Sequence, residues 1–340
     1  MHELADLGQS IWLDYISRPL LETGALKQWI DDGLAGMTSN PSIFNQAISQ
    51  SKDYDSEIIR LKSAGKSTFE IYDELTIRDI KEACDNFKGV YEKTNALDGY
   101  VSLEINPQLA NDTAASIKEG KRLWAKVSRP NVMIKVPSTP AGFPVIEELL
   151  GIGINVNVTL IFSLKQYEDS AKAFLAGLER LSKTQSDMSR IASVASIFVS
   201  RIDNMADDLL DKKAATAAAK EKIAFLKGKA AVANCQLVFE KSYEIFSSDR
   251  FKALAAKGAR IQRVLWASTS TKNPSYSDVK YISELIAKDT VNTVPEKTLK
   301  AFMDHGVAKI ALRGSEGGGV MQRFAARVDH KTLAPKVADD

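Results

Sequence analysis

Eight short runs rich in apolar and β-branched residues punctuate the chain: SIWLDYI (10–16), GLAGMTS (33–39), GYVSLEI (99–105), NVMIKV (131–136), INVNVTLIF (154–162), IASVASIFV (191–199), IQRVLWAS (261–268) and TVNTV (290–294). Their length and bounding residues predict strands. Segments with helical spacing of apolar positions fill the intervals, at 19–32, 51–65, 67–87, 108–127, 141–151, 163–181, 201–247 and 277–288. Strand and helix therefore alternate. That order implies a parallel sheet, because parallel neighbours need a crossover that a helix supplies. Eight such units point to a single closed (β/α)8 barrel. A doubly wound open sheet is the competing architecture, but it favours a glycine-rich phosphate turn after an early strand, and neither GxGxxG nor GxxxxGK[ST] occurs there. The intervals are uneven, with two helices between the second and third strands and a large insertion before the seventh, and barrels tolerate both. KKAATAAAKEK (212–222) reads as an exposed part of a long helix.

In a barrel the active site forms where strands end and βα loops begin, so polar residues late in each strand carry the functional signal. They are Asp14; Thr38, Ser39 and Asn40; Glu104 and Asn106; Lys135, Ser138 and Thr139; Asn155, Asn157 and Thr159; Ser196 followed by Arg201; Ser268; and Thr293. NVNVT in the fifth strand aims Asn155, Asn157 and Thr159 at one face, expected to be the barrel mouth, although a half-exposed edge strand would alternate in the same way. Lys135 interrupts an otherwise apolar strand. A lone strand lysine usually snorkels to water, and Lys135 with Glu104 could be no more than a buried ion pair. A lysine in a partly dry pocket, however, is suited to attack a ketone and form a Schiff base, whose protonated imine then serves as an electron sink. A carboxylate such as Asp14 can remove the hydroxyl proton as a carbon–carbon bond breaks.

Composition narrows the partners without choosing one. The chain has 340 residues, 44% hydrophobic and 26% charged, with a net charge of +2. Nothing in that balance calls for nucleic acid or an anionic membrane, and a small anionic substrate remains compatible. The longest uncharged apolar run, IASVASIFVS (191–200), is too short to span a bilayer, and the first thirty residues lack the pattern of a secretory signal. Cys84 and Cys235 are far apart and form no CxxC, so a reducing, cytoplasmic setting is expected. The histidines, His2, His305 and His330, gather in no metal-binding pattern.

Five stretches carry a family resemblance: GMTSNPSIF (36–44), VSLEI (101–105), VMIKVPST (132–139), GINVNVTLIFS (153–163) and ASIFVSRIDN (195–204). In this order the chain resembles the transaldolase family, class I aldolases of the pentose phosphate pathway, from about Asp14 to about Pro295. The resemblance implies a Schiff base on Lys135, with Asp14 as the acid/base residue for the hydroxyl proton. It implies that Glu104 and Thr159 hold a catalytic water and shuttle protons, and that Asn40 and Asn157 hold substrate hydroxyls. Ser196 and Phe198 would line the pocket and Arg201 would bind phosphate, for which a guanidinium fork is suited. An ion pair with Asp203 or a neighbouring acid at the start of a helix is the plainer role for Arg201. Sugar phosphates would be the substrates, with no metal or organic cofactor, and a homodimer is one assembly open to such a chain.

Two departures stand out. WASTSTKNPSYSD after the seventh strand offers Ser268 but no arginine where many family members place a second phosphate ligand, and Lys272 is the substitute cation. The chain from about 311, LRGSEGGGVMQRFAARVDHKTLAPKVADD, does not resemble the usual closing helix, so residues 1–310 are expected to form the barrel and 311–340 an atypical tail whose order is left open. Beside an active transaldolase, two readings remain: a fructose-6-phosphate aldolase-like enzyme, and a catalytically silent barrel that binds sugar phosphates.

Overall fold

The computed structural model describes residues 1–213 and 223–312. Eight parallel strands, β1 (Gln9–Asp14), β2 (Gly36–Thr38), β3 (Val101–Glu104), β4 (Val132–Pro137), β5 (Val156–Ile161), β6 (Ser193–Phe198), β7 (Arg263–Ala267) and β8 (Thr290–Val294), close in sequence order into a barrel. β8 pairs back onto β1, with Trp12 opposite Thr293. All eight expected strands are present within a few residues of their sequence positions. The closed barrel is the expected architecture, and the competing open sheet is excluded.

Two apolar layers follow from the two-residue alternation of each strand. Outward residues such as Val132, Ile134, Val136, Val156 and Val158 join the helices in the main core. Inward residues Trp12, Tyr100, Met133, Val194, Leu265 and Val291 pack against one another across the barrel centre. Below this plug, at the N-terminal ends of the strands, Arg263 pairs with Asp98 at 2.7 Å. Arg263 also donates to Ser10 Oγ and to the Leu97 carbonyl, while Asp98 accepts from Ser10 Oγ and Trp12 Nε1. Above the plug the inward residues turn polar again.

Helices depart from the sequence pattern where capping or tertiary pairing intervenes. The segment 19–32 is two helices, Arg18–Glu22 and Ala25–Asp31, broken at Gly24 in the left-handed region with φ 81°. The helix Pro41–Gln50 has no counterpart among the expected ones; it starts where the Asn40 side chain accepts from the Ile43 N–H and Pro41 takes the first helical position. Glu296–His305 likewise follows β8 without a sequence forecast. The expected helix at 277–288 shrinks to Lys280–Ser283, and beyond it the Ile286 carbonyl accepts from the N–H groups of Ala311 and Leu312. Within 201–247 lie Ser200–Lys213 and Ala230–Phe246. Most of the Ala/Lys-rich stretch, 214–222, and the tail from 313 onward fall outside the described residues.

Candidate active site

The C-terminal ends of the strands enclose a cavity of about 170 Å³. Its lining contains Asp14, Asn40, Lys135, Asn157, Thr159, Ser196, Phe198, Arg201, Ser268 and Lys272, ten of the eleven residues expected to act on substrate, together with the polar strand-end residues Thr38 and Thr293. Glu104, the eleventh, is not in the lining and reaches the cavity through Lys135.

Lys135 owes its place to register. It lies opposite Glu104 on β3 and opposite Asn157 on β5, so all three side chains enter the barrel at one level. Its Nζ is 3.2 Å from Glu104 Oε2 and donates to the Ser39 carbonyl at 3.0 Å. Ser39 is in turn fixed by its hydroxyl, which donates to the Ser102 carbonyl at 2.7 Å. Lys135 is only 7% exposed. A protonated amine has three donors, so these two acceptors leave one position that the cavity can serve. Glu104 stands close enough to take the proton that must leave before the nitrogen can attack carbon.

Asp14 reaches the same cavity from β1, opposite Thr38 on β2. Thr38 Oγ1 donates to Asp14 Oδ1 at 2.7 Å and meets Thr293 Oγ1 at 2.6 Å, so the two hydroxyls form a relay ending on the carboxylate. Loss of bulk water raises the Asp14 pKa above the ordinary carboxylate value; Lys135 and the Thr38 hydrogen bond oppose the rise, Glu104 adds to it, and Lys272 opposes it. A carboxyl so perturbed can accept a hydroxyl proton and return it.

The third wall is a fixed amide network. Asn157 donates from Nδ2 to Ser102 Oγ at 3.0 Å and accepts at Oδ1 from Ser196 Oγ at 2.6 Å. Both ends of the amide are therefore oriented by protein. Asn40 spends its Oδ1 on capping the following helix, and its NH2 group, without a partner among the described residues, faces the cavity lining. Thr159 precedes a bulge at which β5 and β6 shift register between Val158 and Ile161, and Leu160 adopts φ 60°. A non-glycine residue there costs on the order of 1 kcal/mol, a local strain often found beside functional sites.

At the rim Arg201 extends over the Phe198 ring at 5.5 Å, and Phe198 packs on Phe162 with centroids 5.1 Å apart. Arg201 makes no ion pair among the described residues. The proposed partner Asp203 is buried elsewhere, accepting from the Ala231 N–H and the Tyr281 hydroxyl, each at 2.7 Å. Ser268, with φ 54°, opens the segment after the neighbouring strand β7 that brings Ser270 and Lys272 to the cavity.

Asn155 is a correction. It precedes β5 and lies below the mouth, donating to the carbonyls of Pro130 and Val132 and accepting from the Ala192 N–H. Alternation identifies a face but not a depth, and four residues of strand span about 13 Å. Asn106 caps a short turn through Gln108 N–H, Ser138 pairs with Ser170, and Thr139 accepts from Gly142 N–H. Sequence reasoning marks Thr38 and Thr293 only as polar strand ends; their link to Asp14 needs the closure of β8 onto β1. Ser270, Ala267 and Pro295 also line the cavity, with no sequence signal beyond their nearness to a strand end.

The family described as Transaldolase/Fructose-6-phosphate aldolase matches residues 11–340, a span that includes the stretch set apart as an atypical tail. A transaldolase of Trichodesmium erythraeum is 48% identical over 307 residues, covering 89% of this chain and 81% of that protein. A transaldolase of Saccharopolyspora erythraea is 48% identical over 306 residues, covering 90% and 81%. A transaldolase of Thiobacillus denitrificans is 42% identical over 341 residues, covering 99% and 94%.

Proposed function

Because this chain belongs to the transaldolase/fructose-6-phosphate aldolase family, we propose that Lys135, Asp14, Glu104 and Thr159 carry out transaldolase chemistry at the barrel mouth. The activity is that of a transaldolase, a transferase that moves a dihydroxyacetone unit between sugar phosphates by way of a Schiff base. The observation that carries the residue assignment is Lys135 Nζ, buried 3.2 Å from Glu104 beside a cavity that Asp14 also lines.

Glu104 takes a proton from the Lys135 amine, which attacks the C2 ketone of fructose 6-phosphate. Loss of water, with Thr159 and Glu104 holding that molecule and its protons, leaves a protonated imine. Asp14 removes the C4 hydroxyl proton; the C3–C4 electrons flow to the imine nitrogen, forming an enamine as glyceraldehyde 3-phosphate departs. Asn157 and Asn40 hold the hydroxyls of the three-carbon fragment. An incoming erythrose 4-phosphate aldehyde is then attacked by the enamine carbon, Asp14 returns the proton to the new alkoxide, and hydrolysis releases sedoheptulose 7-phosphate. Every step reverses. Arg201 and Lys272 bind the phosphate at the rim, leaving the reacting carbons deeper among Lys135 and Asp14. Two buried, free cysteines fit a reducing cytoplasm as the setting, and no described helix is long and apolar enough to cross a membrane.

A product assay tests the transfer. With fructose 6-phosphate and erythrose 4-phosphate, a seven-carbon sugar phosphate is expected. Release of free dihydroxyacetone without that product would favour the aldolase reading, and no turnover by a folded protein the silent one.

A further inference from the structure

We propose that Tyr276 and Asp207 are positioning residues that fix the distance between Arg201 and Lys272, an inference that rests on the reading of the barrel mouth given above. Arg201 lies in the first turn of the helix Ser200–Lys213, and Asp203 and Asp207, four residues apart, share one side of that helix. Each carboxylate joins two other parts of the chain. Asp203 accepts from the Tyr281 hydroxyl and the Ala231 N–H, both at 2.7 Å. Asp207 accepts from the Tyr276 hydroxyl at 2.5 Å and the Gly228 N–H at 2.9 Å.

The two tethers hold different things. Tyr281 is fully enclosed within the helix Lys280–Ser283, so its bond to Asp203 belongs to the packed body of the barrel. Tyr276 is half-buried and follows Lys272 by four residues. Thr269 is anchored through its hydroxyl to the Thr293 carbonyl. Beyond it, among the described residues, the hydrogen bonds of residues 270–275 stay within 271–277, as in Thr271 Oγ1 to the Ser277 carbonyl and Ser275 N–H to Asn273 Oδ1. The segment presenting Ser270 and Lys272 is thus hydrogen-bonded to the rest of the protein at its two ends, Thr269 and Tyr276. Gly228 completes the seat: at φ 66° it lies so near Tyr276 that a Cβ there would be 2.7 Å from the ring Cζ. Lys280 Nζ lies 5.7 Å from the Tyr276 ring and 5.6 Å from that of Tyr281.

Arg201 and Lys272 sit on different elements, and a phosphate gains from both only when their spacing is held before binding. The helix of Arg201 meets the chain that leads to Lys272 first at Ser200, whose N–H donates to the Ser268 carbonyl and whose hydroxyl meets that of Ser268, each at 3.1 Å; the Tyr276–Asp207 bond is the second link, on the far side of Lys272. It lies away from Lys135 and Asp14, so its loss should weaken the phosphate grip and leave imine formation intact.

The test compares Tyr276→Phe and Asp207→Asn with the parent protein. KM for fructose 6-phosphate should rise about tenfold and kcat stay within about twofold, and the dissociation constant for inorganic phosphate, by calorimetric titration, should rise by a similar factor. Borohydride trapping of dihydroxyacetone, which has no phosphate, should proceed at the parent rate. An unchanged KM in both variants, or equal losses with fructose 6-phosphate and dihydroxyacetone, would overturn the assignment. Absence of any Lys135 adduct in the parent would instead remove the catalytic reading, with the phosphate titration still deciding the latch.

Discussion

Arg263 with Asp98 at one end of the barrel, and Lys135 with Glu104 at the other, are both buried ion pairs whose cation stands at an inward strand position. Their surroundings separate them. The Arg263–Asp98 contact is 2.7 Å, and Ser10, Trp12 and the Leu97 carbonyl complete both partners. At 3.2 Å the Lys135–Glu104 contact is longer, has one further acceptor in the Ser39 carbonyl, and opens onto a cavity. A closed network braces the structure, whereas an incomplete one retains a donor or acceptor for something that arrives later. Burial of charge alone therefore does not mark a catalytic group; burial with unfinished coordination beside free space does.

The sharpest way to break this comparison is to remove the cation from each pair. Lys135→Met should reduce sugar-phosphate transfer on the order of 10⁴-fold or more, the scale expected when a covalent nucleophile is lost. Arg263→Met should keep kcat within a few-fold while costing about 3–5 kcal/mol in chemical denaturation, because Asp98 is left buried without its partner. Equal damage to activity from both variants would erase the distinction.

Asp14→Asn should lower kcat about 10²- to 10⁴-fold, with substrate affinity nearly unchanged. A larger change in KM than in kcat would contradict its acid/base role. Because burial raises the Asp14 pKa, the folded protein holds a proton that the unfolded chain releases as pH rises from the ordinary carboxylate value to the folded one. Stability is lost through that window, so Asp14→Asn should be more stable than the parent at neutral pH. The acidic limb of the parent kcat profile should lie above the ordinary carboxylate range and disappear from the residual activity of the variant.

Arg201→Ala should raise KM for sugar phosphates about tenfold to a hundredfold with less effect on kcat, and Lys272→Ala should do so less, since a guanidinium binds phosphate with two parallel hydrogen bonds and an ammonium as a point charge. Steady-state kinetics on fructose 6-phosphate decide the order. The smallest effect belongs to the closed pair: Ser10→Ala should cost about 1–2 kcal/mol in stability and leave KM and kcat unchanged.

The same contrast explains what the sequence reveals. Lys135 in NVMIKV and Arg263 in IQRVLWAS are both charges inside apolar runs, but Lys135 falls late in β4 and Arg263 opens β7. Position along a parallel barrel strand separates the two ends, and so the late polar residues identify the mouth. The strands were legible because each needs only a short local pattern. The depth of Asn155 is not legible because the alternating pattern carries no height, and the Thr293–Thr38–Asp14 relay is hidden because it joins the first and last strands. The helix Pro41–Gln50 depends on one asparagine cap more than on a broad apolar stripe, and past the shortened helix at 280–283 the Ile286 carbonyl pairs with residues 311 and 312, a contact too distant along the chain for a local pattern to show.

The most direct test is borohydride reduction of the parent protein in the presence of fructose 6-phosphate, followed by peptide mass spectrometry. The account predicts a reduced three-carbon adduct on Lys135, retained in Arg263→Met and absent from Lys135→Met. An adduct on another lysine, or none on a folded parent protein, would contradict it.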